Sequence, residues 1–358
     1  MRFVRDHGVS SEGAVDRAMT GVPSDKWIPD VLPSDSTVDV AVRTLRNRLD
    51  AVLHYLVLAA EKEDSDTEHV HQLRVWSRRA MAALDLYQDS MPRRRRKWIR
   101  KQLKRIRRAA SDARDCDVLI QRLKGRRSSL GRKRWLESLA AERGEAQQAI
   151  IAICNSLGRD DRFAQRIDAL LDRVSAGGEE QSGQALACFA DWARERLPVA
   201  VGQFFSAVPP DPTDEAALHQ FRIRGKELRY AMELLAGAFP EQFRTTLYPT
   251  IEALQDRLGE INDLATAKTR LQKKIARADG AADVAAWRRL LTHERAQLDQ
   301  ARRRFWEWCT PTMLHELRQD FATVLGDSHA FSSSEESGPA IERGAQPTPA
   351  NCRPAGPQ

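Results

Sequence analysis

From Val38 onward, apolar side chains recur at intervals of three and four residues. Val40, Val42, Leu45, Leu49, Val52, Leu53 and Leu56 set the pattern in a first stretch, which is the period of a helix with one buried face. A second helix is predicted to start with Thr67 or Asp66 as N-cap. It runs through Val70, Leu73, Ala80, Leu84 and Tyr87 to a stop before Pro92. A third covers about 94–124, with Ile99, Leu103, Ile106 and Ala110 as its inner face. A fourth spans about 132–156, a shorter one follows, and Gly177-Gly178 reads as a linker. No segment alternates apolar and polar residues between turn signals, as a strand would. The chain is therefore predicted to be all-α. Residues 1–36 mix Gly, Ser, Pro and Asp without a period and read as a partly ordered N-terminal arm. Residues 329–358 are rich in Ser, Pro and Gly. Such a tail buries too little apolar surface to offset the entropy of ordering, so disorder is expected there.

The chain also repeats itself. His71-Gln72-Leu73-Arg74-Val75 returns as His219-Gln220-Phe221-Arg222-Ile223, at an offset of 148 residues. At that offset and without gaps, Arg48 falls on Arg196, Leu49 on Leu197 and Arg78 on Lys226. Asp85 falls on Glu233, Pro92 on Pro240 and Asp115 on Asp263. Helices, proline stop and the acid of the third helix all keep step, which points to duplication of a three- or four-helix unit. The expected domain is 37–328, with repeat one over about 37–176 and repeat two over about 184–328. Each unit offers an apolar stripe, so two pseudo-symmetric helical bundles sharing an interface are the simplest packing. A site at that interface would draw equivalent residues from both halves.

Charge sharpens the picture. The net charge is +7, yet between His71 and Arg134 stand 22 Lys or Arg against five acids, so the remainder of the chain carries −10. An intense positive field on an otherwise acidic protein fits a polyanionic partner. No apolar run approaches the ~18 residues of a membrane span, and the start lacks the apolar centre of a secretory signal, which predicts an intracellular, cytoplasmic protein. The five cysteines are scattered with no C-x-x-C pair, so free thiols in a reducing compartment are expected.

On a helix, positions i, i+3 and i+7 share a face. His71, Arg74 and Arg78 form one such stripe, and His219, Arg222 and Lys226 form its counterpart, extended by Arg229 and Tyr230. Solvated helix faces are the ordinary fate of charged residues. A drifting solvent face, however, has no reason to keep the same cations in both halves. Two related stripes make a receptor for closely spaced negative charges, and the arginine fork suits phosphate oxygens. The run 93–108 holds 11 basic residues and no acid, a crowding that destabilises an isolated helix unless something compensates it. Of that run, Lys104 and Arg107 are favoured for the site. Asp115 and Asp263 read as partners that orient an arginine or histidine. Glu68-His69-Val70-His71 contains a Glu-x-x-His di-iron element, but the offset places Ala216 where Glu68 needs its twin. No metal, cofactor or catalytic residue is therefore assigned, and no Walker loop, zincin or nucleophile-elbow motif occurs.

These motifs resemble those of the CHAD family, a histidine-containing α-helical domain. The segment 70–79 is similar to its first motif and 218–230 to its second. Ala113-Arg114-Asp115 and Glu260-Ile261-Asn262-Asp263 match the two endings of its third helix. The resemblance spans about 38–325. It implies two helical bundles around a basic central cavity that binds inorganic polyphosphate without hydrolysing it. His71, Arg74, Arg78, His219, Arg222, Lys226 and Arg229 would line that cavity, with Arg48, Lys104, Arg107, Arg143, Arg196 and Arg295 as neighbours. Met81 departs from the pattern, standing where the family often has a basic residue. The triphosphatase module that often accompanies the domain is not seen, since no E-x-E-x-K strand occurs. Binding would take the protein to polyphosphate granules, and acidification through the histidine range would tighten it. The competing reading is a nucleic-acid-binding protein using the 93–108 helix. Against it stand the lack of a helix-turn-helix or RNA-recognition signature and an aromatic content of only 6%, which leaves few stacking platforms.

Overall fold

The computed structural model describes residues 25–61, 67–124, 130–158, 161–180, 188–277 and 281–326. The expected tail, 329–358, and the arm before residue 25 lie outside the described residues. Ten α-helices account for most of what is described, and no strand occurs among those residues beyond an isolated bridge between Ser36 and Cys188. The helices are α1 (Thr37–Glu61), α2 (Thr67–Leu86), α3 (Arg93–Lys124), α4 (Leu130–Gly158) and α5 (Arg162–Glu180). They continue as α6 (Phe189–Phe205), α7 (Glu215–Leu235), α8 (Tyr248–Ala276), α9 (Ala281–Trp308) and α10 (Pro311–Leu325). Both α2 and α7 start where the 148-residue step puts them.

The periodic apolar positions are those that face inward. Leu45, Leu49, Val52, Leu73, Ala80, Leu84, Leu103 and Ala110 are fully buried, and they join Trp76 and Phe163 in a core built by α1 to α5. A second core gathers Leu197, Phe204, Phe221, Leu228, Ile251, Phe305 and Phe321 from α6 to α10. A smaller third cluster ties the ends of the long helices together, with Leu119, Leu123, Trp135 and Leu139 against Leu271, Trp287 and Leu291. Burial on this scale, at roughly 25 cal/mol per Å² of apolar surface, holds helices whose exposed faces are crowded with like charge.

Local chemistry sets the helix that carries the second basic stripe. Asp214 caps α7, its carboxylate accepting from the backbone N–H of Ala216 and Ala217 at 2.8 and 3.0 Å, which satisfies donors the first turn leaves open. Inside α7, Gly225 permits close packing on α8, since a Cβ there would fall 2.0 Å from Nε2 of Gln255.

One expectation changes. Gly177 and Gly178 do not form a linker, because α5 continues through both to Glu180. Glycine costs a helix only about 1 kcal/mol relative to alanine, and Ile167, Leu170, Leu171 and Val174 anchor the preceding turns in the core. The end of the N-terminal arm is also well built. Trp27 sits edge-on to Tyr248 with ring centroids 4.7 Å apart, and Lys26 pairs with Glu252 at 3.1 Å. Arg43 binds the carboxylate of Asp35 and the backbone oxygen of Asp30. Val31 lies so close to Gly237 that any side chain there would clash, a Cβ coming 2.5 Å from its Cγ1.

Candidate anion-binding cleft

The helices α2 and α7 pack on one another, and their basic stripes open into a shared cleft of about 660 Å³. From α2 come His71, Arg74, Arg78 and Arg79, and from α7 come Arg222, Lys226, Arg229 and Tyr230. The wall supplied by α8 consists of Gln255, Asp256, Gly259, Glu260 and Asp263, and Asp25 and Lys26 of the arm close the remaining side.

The cations are held close together and largely out of water. Burial, with Arg78, Arg222, Arg74 and Arg229 around it, pushes the Lys226 amine down to about 5. Burial and then the charge of Arg78 lower Arg74 to about 10, against the opposing pull of Asp115, so its guanidinium stays charged at neutral pH. Arg222 is lowered for the same reasons, with Asp263 opposing. The imidazole of His71 is lowered by burial first and by Arg114 next, and its Nδ1 is buried without a hydrogen-bond partner. Burial also works against the Arg229 guanidinium, but Tyr230, Glu233 and Tyr248 outweigh it and hold the group above its ordinary value.

The frame behind the cations is more specific than the cations themselves. The carboxylate of Glu233 is fully buried and accepts from Nε and Nη2 of Arg79 at 2.6 and 3.2 Å. It also accepts from the Tyr248 hydroxyl at 2.8 Å, and Arg229 Nε lies 3.9 Å away. Arg74 donates through Nε to the Ser111 hydroxyl of α3 at 3.3 Å. Asp115 stands near Arg74 and Arg270, yet burial raises its carboxyl above the usual range.

Of the residues expected to form the site, His71, Arg74, Arg78, Arg222, Lys226, Arg229 and Asp263 come together here. Arg107 borders them, close to Arg78, whose charge helps burial to lower it, and to Tyr230. His219 does not join them; it is exposed in the first turns of α7. Arg48 is fully buried instead, its guanidinium donating to the Lys26 backbone oxygen and lying 5.2 Å from the Trp76 ring centre. Arg143 is engaged between α3 and α4, at 2.8 Å from both Asp117 and Gln147. Arg196 pairs with Asp89 at 3.2 Å, and Arg295 and Lys104 are exposed away from the cleft lining. The sequence reasoning missed Arg79, the arm residues Asp25 and Lys26, and the α8 wall apart from Asp263. The spacing of Gln255, Gly259 and Asp263 at i, i+4 and i+8 was a legible signal for that wall.

Among the described residues no three His, Cys, Asp or Glu side chains gather as metal ligands, and no helix is long and apolar enough to cross a membrane. A family model described as the CHAD domain matches residues 43–272. The fold is similar to the crystal structure of the CHAD domain from the plant Ricinus communis, with a TM-score of 0.61 and 22% identity over 84% of this chain and 97% of that one. It is also similar to PptA from Streptomyces chartreusis, with a TM-score of 0.46 and 19% identity over 80% of this chain and 100% of the other. No curated protein sequence matches.

Proposed function

Because the chain belongs to the CHAD domain family, we propose that it binds inorganic polyphosphate, without hydrolysing it, in the cleft between α2 and α7. The observation that carries this reading is a half-buried lysine with four arginines around it at the cleft surface. Such a cluster is unfavourable in the empty protein, since desolvation and mutual repulsion act together. A linear polyanion with a charge on every repeat offsets both. Closely spaced phosphates match Arg74, Arg78, Arg222 and Arg229 through charge-assisted hydrogen bonds. Seven Lys or Arg line the cleft against four Asp or Glu, and one of those acids, Glu260, is paired with Arg304 at 2.8 Å. In this role the protein is a cytoplasmic recruiter that carries its bearer to polyphosphate granules. The unpaired thiols of Cys116, Cys154, Cys188 and Cys309 accord with a reducing compartment.

Competition tests the reading. Polyphosphate is expected to displace single-stranded RNA at a much lower phosphate concentration than RNA displaces polyphosphate, in a mobility-shift assay at fixed salt. RNA winning that contest would move the function to the 93–108 surface. Orthophosphate released on incubation with polyphosphate, with or without magnesium, would instead make the protein an enzyme.

Lys226 predicts a pH dependence with a definite sign. In the empty protein its amine is neutral from about 5 upward, whereas a bound anion favours the ammonium. Binding at pH 7 should therefore take up a proton. Affinity should rise as pH falls towards 5 and level off below that, with His71 adding in the same direction. Calorimetry in two buffers of different ionisation enthalpy reads the uptake, and Lys226→Arg, which stays charged, should largely abolish it. Equal heats in both buffers for the wild type would contradict the assignment. The same group makes the empty protein more stable as pH rises from about 5 to 10.5, because over that range the unfolded chain holds the extra proton.

A further inference from the structure

Lys226 stands apart from the other half-buried lysines. Among the described residues, Lys26 pairs with Glu252 at 3.1 Å, Lys268 with Glu215 at 3.0 Å, and Lys274 donates to the Ser138 hydroxyl at 2.9 Å. No hydrogen bond or ion pair among those residues holds the Lys226 amine. It lines the cleft with Arg74 and Arg78 of α2 and Arg222 and Arg229 of its own helix around it. We propose that Lys226 is a modification site, its amine taking the acyl group of a small acyl phosphate whose phosphate docks on these arginines. The site rests on the geometry of the cleft, and its effect on binding rests on the polyphosphate reading.

The reaction needs three things in one place. The amine must be unprotonated, since an ammonium has no lone pair to attack with. Burial and the four guanidiniums hold Lys226 at about 5, which keeps it in that form at neutral pH. An ordinary lysine is unprotonated at pH 7 in only about one molecule in three thousand. The phosphate must be gripped beside the amine, and arginine forks do this with paired charge-assisted bonds. A positive group must also serve the carbonyl oxygen as it gains charge, and a further guanidinium of the cluster is at hand for it. In the step itself the amine nitrogen attacks the carbonyl carbon, a C–N bond forms and the C–O bond to phosphate breaks. Inorganic phosphate leaves with the bonding pair and takes the proton shed by nitrogen. Nothing is oxidised or reduced.

The other titratable groups of the cleft do not reverse the state of the amine. On α2, His71 is itself lowered by burial and Arg114, and Arg79 is bound to Glu233. On α7, Tyr230 has the Arg229 guanidinium 5.3 Å from its ring centre. On α8, Glu260 is paired with Arg304 and Asp263 acts on Arg222, while Asp256 and, from the arm, Asp25 and Lys26 complete the lining. Once acylated, the side chain is an amide and takes no proton. The charge that a bound anion draws onto Lys226 is then lost, so acylation should weaken polyphosphate binding on the order of tenfold or more. Bound polyphosphate in turn protonates and covers the amine, so each event blocks the other.

The test incubates the full chain with acetyl phosphate and follows acetylation lysine by lysine with peptide mass spectrometry. At pH 7 Lys226 should react on the order of tenfold faster than the exposed Lys133 and Lys273. Its rate should stay level between pH 6 and 9, where theirs rise about tenfold per unit. A donor without phosphate, p-nitrophenyl acetate, should show a clearly smaller preference for Lys226. Reaction no faster than at Lys133, a rate that climbs with pH as at Lys133, or equal preference from both donors would overturn the site. Tripolyphosphate should protect Lys226 and leave Lys133 as reactive as before. Fast acetylation from acetyl phosphate that tripolyphosphate does not slow would support the modification site and count against the polyphosphate reading instead.

Discussion

Alanine at both Arg74 and Arg222 is expected to weaken polyphosphate binding a hundredfold or more with the fold intact. The two guanidiniums come from different helices and line the same cleft. Each is largely buried and repelled by Arg78. Hydrogen bonds to a charged partner contribute about 1.5–3 kcal/mol each, so losing one from each arginine costs roughly 3–6 kcal/mol, or two to four orders of magnitude. Stability should move little, and upward if at all, because the substitution relieves repulsion with Arg78. Asp115 and Asp263 each lose a cationic neighbour, but Asp115 keeps Arg270 near it. Circular dichroism and a melting curve separate loss of site from loss of fold. A double variant that is folded and binds within a few-fold of wild type would place the anion elsewhere.

Glu233→Gln is expected to act on stability. The carboxylate accepts two bonds from Arg79 and one from Tyr248, and its charge also supports Arg229 and Arg48. Removing one partner of a buried ion pair typically costs about 3–5 kcal/mol, because the partner charge stays buried. In a domain of this size that is a fall in Tm of roughly 6–15 °C. Tyr248→Phe deletes only a neutral donor and should cost about 1 kcal/mol. Thermal denaturation of the two variants side by side checks the contrast. A Glu233→Gln protein melting within two degrees of wild type would show that the arginines find other partners. Because Arg79 and Arg229 line the cleft, the same substitution should loosen their placement and weaken binding.

Much of this was legible in the sequence because helices announce themselves locally. The apolar period located Leu45, Leu49, Leu73 and Leu103 in the core, and the paired motifs located the cations that meet across α2 and α7. What failed depended on distant partners. Arg48 is buried because Lys26, 22 residues earlier, supplies a backbone oxygen to it. Arg143 is taken by Asp117, and Arg196 by Asp89, neither of them near in sequence. The arm that supplies Asp25 and Lys26 has no period to read. His219 misled for another reason: the 148-residue step carries residue types between halves but not their surroundings. Helix α8 bears Gln255 and Glu252 where α3 bears Arg107 and Lys104, so the surroundings of the cleft are lopsided and equivalent residues need not share it.

Titration of the wild-type protein with long-chain polyphosphate across a salt series addresses the binding reading most directly. With five or six phosphates neutralised in the cleft, log K should fall with log salt at a slope of roughly −4. Affinity that is undetectable at low salt, or that barely changes as salt rises, would contradict a cleft built to gather phosphates.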